Sequence, residues 1–201
     1  MSELATFVRL GFRHITDLAA LDHLLFLFAL AAIYRKRDWR DMVGVISAFT
    51  VGHSITLGLA ASGTLQLPMT LIEFLIPVTI LLTGLENIAV RRRDQAPLAG
   101  GCRPVFAGVF GLVQGAGFAN YLQGLVAGPI VVPLLGFNTG IELGQIVVLG
   151  AAVLVLAGVD LALARLRAPD ARPSVHRLRV VAVSAVVVVL AAELAIARAP
   201  W

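Results

Sequence analysis

Six apolar stretches, at 18–34, 42–61, 68–90, 104–125, 137–164 and 178–198, alternate along the chain with short polar or basic connections. A membrane-crossing helix needs about 20 such residues, and these runs, rich in Leu, Ala and Gly, lack the alternation of barrel strands. Helices are therefore predicted. The fifth stretch exceeds the hydrocarbon thickness, so it either tilts or begins as an interfacial turn around Gly136, Phe137 and Asn138. Residues 121–136, with Pro129 and Pro133, predict a broken or re-entrant connection before the fifth span. At the start, Arg9 and Arg13 among Leu4, Phe7, Val8 and Phe12 predict a short interfacial helix, without the small-residue cleavage site of a signal peptide. The expected architecture is an all-α polytopic membrane bundle of about six spans, forming a single domain over residues 1–201.

Composition agrees with the pattern. Of 201 residues, 59% are hydrophobic and 14% charged, and the mean hydropathy is +0.91; a water-soluble enzyme is excluded. Cys102 stands alone, so no internal disulfide exists and a free thiol is expected. The net charge of +4 would suit nucleic acid in a soluble protein, but its placement assigns it to topology. Thirteen of the sixteen basic residues lie on one side: Arg35, Lys36, Arg37 and Arg40; Arg91, Arg92, Arg93 and Arg103; Arg165, Arg167, Arg172, Arg177 and Arg179. The opposite connections, 62–67 and 121–136, carry no charge. The positive-inside rule then puts both termini on the non-cytoplasmic side of an inner (plasma) membrane, with lipid rather than nucleic acid as the surrounding partner. There is no internal repeat, P-loop, GxGxxG or serine-hydrolase motif. Gly108, Gly111 and Gly115 have the spacing of close helix packing.

The scarce polar residues inside the spans carry the chemistry. An ionisable residue near the bilayer centre costs about 2.5–3.5 kcal/mol on insertion scales, so each requires a partner, water or a function. His53 and Gln114 fall near mid-membrane, Asp22 and His23 in the outer half of the first span, and Glu73, Asn138, Glu142 and Gln145 toward the outer ends of the third and fifth. Asn138, Glu142 and Gln145 follow i, i+4, i+7 and share one helix face. Imidazole and carboxylate together suit divalent Ni, Co, Zn or Fe, and the lack of a nearby thiol disfavours Cu(I). His23, His53, Asp22, Glu142 and Glu73 are the candidate ligands, with Asp22 also suited to orienting a ligating imidazole. The alternative for His53, Asn138 and Gln145 is helix-to-helix hydrogen bonding. Glu86 and Asn87 form a candidate cytoplasmic gate, for which the plainer reading is an ion pair with Arg91. By the same reading Asp160 pairs with Arg165, Glu193 pairs with Arg198, and His176 has no specific role.

These residues resemble a known family. His14-Ile15, Asp22-His23-Leu24-Leu25-Phe26 and Phe49 to Leu57 around Gly52-His53, then Glu86-Asn87, Gly111 to Ala119 and Phe137 to Gln145, occur in the order seen in the HupE/UreJ family of bacterial membrane proteins. The resemblance implies a small polytopic protein of nickel or cobalt uptake, in which His23 with Asp22 and His53 handle metal and Glu142 and Glu73 support them. Gln114 stands where family members usually carry His, and an amide is the poorer ligand. The gap between His14 and Asp22 is two residues longer than the family spacing, a phase change of about 200°. That ranks His14 below His23 and brings in Asp17 as a substitute.

The leading functional reading is transport of a divalent transition metal, Ni²⁺ or Co²⁺. A second is an intramembrane hydrolase holding Zn²⁺, with Glu142 or Glu73 as general base. A third is a metal-free accessory protein whose polar cluster only joins helices. A homo-oligomer is compatible with each.

Overall fold

The computed structural model describes residues 2–18, 20–34, 38–65, 68–89, 102–125, 129–166 and 174–200. Among them are seven helices and no strand: α1 (Glu3–Thr16), α2 (Leu21–Ile33), α3 (Trp39–Ala61), α4 (Met69–Ala89), α5 (Cys102–Leu125), α6 (Val131–Leu166) and α7 (Val175–Ala197). Arg35, Lys36, Arg37, Arg91, Arg92, Arg93, Arg167 and Arg172, which carry much of the predicted topology signal, lie outside the described residues. Four helices, α3, α4, α6 and α7, are long and apolar enough to cross a membrane, and α1 with α2, bent by 70°, makes a fifth if the pair is one broken span. α5 has 24 residues; its Gly, Gln and Asn lower its hydropathy. This is a helical membrane bundle.

The first predicted span is the largest departure. α2 has only 13 residues, about 20 Å at 1.5 Å per residue, too short to cross about 30 Å of hydrocarbon alone. It is apolar all round, and Leu25 to Leu27 and Ala29 to Ile33 are buried, which makes it a central helix enclosed by α4, α6 and α7.

α1, the predicted interfacial helix, packs one face onto the bundle. Ser2 caps its start by accepting from the Ala5 N–H at 3.3 Å, and Phe7, Gly11 and Ile15 bury one stripe while Arg9 and Arg13 stay exposed. That stripe packs along α6. A Cβ on Gly11 would stand 2.0 Å from the Phe137 carbonyl oxygen, and one on Gly140 would stand 2.1 Å from that of Val8, so the two backbones touch where side chains are missing. The same device joins α3 to α5: a Cβ on Gly52 would meet the Gly108 oxygen at 2.0 Å, and one on Gly111 the Phe49 oxygen at 2.0 Å. Gly63, at φ 74°, ends α3 in the left-handed conformation that glycine adopts without cost.

The expected break over 121–136 is narrower, and its residues 126–128 lie outside the described residues. α5 continues to Leu125 and α6 begins at Val131, with Pro133 in its first turn, where a missing N–H costs nothing. α6 has 36 residues, about 54 Å, and so exceeds the membrane thickness as the sequence predicts. Exposed apolar side chains run along the long helices, among them Val51, Leu82, Val105, Leu154, Val155 and Ile196, as a lipid-facing surface requires.

One end of the bundle is fastened by arginine. Arg179 donates to the carbonyl oxygens of Ala32 and Tyr34, both at 3.2 Å, closing the C-terminal end of α2, and also bonds Asp160 and His176. Arg177 donates to the Asn87 oxygen at 3.2 Å and the Ile88 oxygen at 2.5 Å, closing the end of α4. Cationic donors on orphan carbonyls also oppose the negative end of each helix dipole. Asp160 thus pairs with Arg179 rather than Arg165, and His176 has a specific partner.

Candidate metal centre

Three imidazoles from three helices meet in the half of the bundle opposite the arginine end. His14 sits two residues before the end of α1, His23 in the first turn of α2, and His53 eight residues before the end of α3. The α1–α2 bend folds His14 back onto His23, with ring centroids 4.5 Å apart and planes at 71°. His53 lies 6.4 Å from His14, centroid to centroid. α5 reaches this depth because Gly115 lets it lie on the His53 backbone; a Cβ there would stand 2.6 Å from the His53 oxygen.

Phenylalanines frame the imidazoles. Phe118 lies 4.3 Å and Phe137 5.6 Å from the His14 ring, the two stack on each other at 4.6 Å, and Phe137 and Phe49 lie 6.2 and 6.1 Å from His53. Within this apolar frame both ring nitrogens of His23, both of His53 and Nε2 of His14 are buried without a partner in hydrogen-bond geometry. Oδ1 of Asn138, which lies beside His53, and both amide atoms of Gln114 are in the same condition. Buried polar atoms normally find partners, and orphaned ones cost about 1–3 kcal/mol each. Imidazole nitrogens without a bond to give or accept are the donor atoms that a divalent transition metal takes. Among the described residues, however, no group of three or more His, Cys, Asp or Glu side chains is placed to hold a metal ion as it stands. The His14 ring meets that of His23 edge to face and that of His53 at a tilt of 46°.

Of the carboxylates expected beside the imidazoles, Asp22 and Glu142 have other partners. Asp22 pairs with Arg198 at 3.0 Å, tying the start of α2 to the end of α7 and taking the arginine expected to meet Glu193. Glu142 accepts from the Ser47 hydroxyl at 2.8 Å, and Gln145 accepts from that of Thr50 at 3.0 Å. With Asn138 beside His53, the predicted polar face of α6 therefore lies along α3, but only its first member reaches the imidazoles. Glu73 is exposed on α4 and stands outside the cluster. Asp17, just beyond α1, acts electrostatically on His14. At the other end, Glu86 pairs with Arg103 at 3.0 Å, while Asn87 donates to the Ala29 oxygen at 2.8 Å and so holds α4 to α2.

The HupE/UreJ protein family model matches residues 1–198. The chain belongs to the HupE/UreJ family. This HupE/UreJ protein matches no curated protein and no solved structure. The match covers α1 as well as the later helices, so the N-terminal helix that supplies His14 is part of the family unit. His14, ranked below His23 on spacing, lies against it in the structure, where a bend separates the two helices. The aromatic frame went unremarked, although Phe49 precedes His53 by one helical turn and Phe118 follows Gln114 by one.

Proposed function

We propose that this membrane protein carries a divalent transition metal ion, Ni²⁺ or Co²⁺, across the bacterial inner membrane, and that His14, His23 and His53 are the site it occupies on the way. One observation carries the reading: three imidazoles from separate helices meet in an apolar chamber, five of their six nitrogens buried without a partner in hydrogen-bond geometry and Asn138 beside His53. Helix-to-helix hydrogen bonding, the plainest role for a membrane histidine, would consume those nitrogens. Side-chain rotation of His14 and His23 about the α1–α2 bend is what closes the set around an ion. Asn138 and Gln114 complete the chamber with neutral oxygen donors. The ion enters from the face where Asp22 and Arg198 pair and leaves at the arginine end, which the positive-inside rule assigns to the cytoplasm. Family membership supports the transport reading over hydrolysis, as does the engagement of Glu142 and the exposure of Glu73, the residues that a hydrolase would use as base.

The test is uptake of Ni²⁺ and Co²⁺ into proteoliposomes that contain the purified protein. The wild type accumulates metal, and His53→Ala, which leaves the helix contacts of α3 in place, abolishes accumulation. A wild type that moves neither metal overturns the proposal.

A further inference from the structure

A second polar station lies on the other side of the imidazoles. A cavity of about 200 Å³ opens between α2, α3, α4 and α5, walled by apolar side chains except at Thr83, Glu86 and Arg103. It is joined to the imidazole chamber by a column of rings. Phe49 stacks on His53 at 6.1 Å, Phe26 stacks on Phe49 at 5.0 Å, and Phe26 and Phe110, 6.3 Å apart, form part of the cavity wall. Phe26 and Phe49 are nearly solvent-free at 2% and 0% exposure, so the column is packed tightly between the two sites. Such a constriction blocks a hydrated ion until the rings move.

Beyond the rings, Glu86 is the acidic side chain that lines the cavity, and Arg103 holds it at 3.0 Å. Arg103 also lies 5.9 Å over the Tyr34 ring, and its Nε is buried without a partner. The guanidinium is therefore only partly satisfied by this arrangement. A divalent cation that reached the cavity would compete with it for the carboxylate.

We propose that this cavity is the inner half of the ion pathway, with Glu86 as the station that receives the metal from the imidazoles and Arg103 as the charge that occupies Glu86 between ions. The rings of Phe26, Phe49 and Phe110 form the gate between the two stations. This rests on the transport reading above and adds to it an exit route and an exchange of partners at Glu86. Arg103 keeps the carboxylate neutralised while the cavity is empty, and the ion displaces it, so the half-buried carboxylate need never stand unpaired.

Two measurements on the full-length protein test it. In proteoliposomes, Glu86→Gln retains wild-type Ni²⁺ binding at the imidazoles but slows translocation about tenfold or more, equivalent to about 1.4 kcal/mol or more in the barrier. Independently of any metal, Thr83→Cys in a Cys102→Ser background reacts with a membrane-impermeant cationic thiol reagent from the arginine end only, and faster when Arg103→Ala is added. Glu86→Gln translocating at the wild-type rate overturns the proposal, as does labelling of Thr83→Cys from the opposite face or no labelling even with Arg103→Ala. A wild type that binds and carries no Ni²⁺ refutes the transport reading itself, and a Glu86→Gln defect accompanied by lost binding refutes the separation of the two stations.

Discussion

His14 and His23 lie edge to face, 4.5 Å between ring centroids, although a bend of 70° separates the helices that carry them. The bend is what makes the contact. On one straight helix, residues nine apart would stand about 13.5 Å apart along the axis. The imidazole pair thus depends on the chain leaving α1 at Asp17, whose extended backbone ends the helix.

Removing either member of that pair, or His53, should weaken Ni²⁺ binding by at least about 100-fold, since even residues that merely orient a ligand cost about 10–100-fold when lost. Isothermal titration of the purified variants His14→Ala, His23→Ala and His53→Ala checks this. Glu73→Gln, which alters an exposed side chain outside the cluster, should bind as the wild type does.

Acid should release the metal. A protonated imidazole has no lone pair to offer, so affinity falls on acidification and recovers on return. Equilibrium dialysis against Ni²⁺ over a pH series reads the loss, and its steepness reports how many protons compete.

Gln114 sits one turn before Phe118, which packs on His14, and both its amide atoms lack partners. Gln114→His should raise Ni²⁺ affinity about tenfold or more, because imidazole is the better ligand for a borderline divalent ion. The same titration measures it.

The glycine crossings should be intolerant of a methyl group. Gly11→Ala and Gly52→Ala place Cβ 2.0 Å from a backbone oxygen, and helix separation costs about 1–3 kcal/mol or more. Gly150→Ala meets nothing within 4 Å and should be neutral or slightly stabilising. Thermal unfolding in detergent separates the two outcomes.

The parts of this arrangement legible in the sequence are those set by local pattern. Apolar length predicts α3, α4, α6 and α7, the i, i+4, i+7 spacing puts Asn138, Glu142 and Gln145 on one face of α6, and small-residue spacing predicts that Gly111 and Gly115 carry a close contact. What pattern cannot supply is partnership between distant elements. Arg9 and Arg13 mark an amphipathic N-terminal helix, but not that its narrow stripe of Phe7, Gly11 and Ile15 packs on α6. Asp22 meets Arg198 from 176 residues away, Asp160 meets Arg179, and Glu86 meets Arg103, and in each case a nearer or equally plausible arginine was available in sequence. Such choices are fixed by which helix ends coincide, and that is decided by the packing of α2 in the centre.

In the proposed transport site one ion is held jointly by His14, His23 and His53. Anomalous scattering at the nickel absorption edge from crystals of the Ni²⁺-loaded protein tests it most directly. A single peak about 2.1 Å from one nitrogen of each imidazole is expected, as for other imidazole-bound divalent metals. A loaded protein with no peak among the three rings, or with its metal bound only at another place, would contradict it.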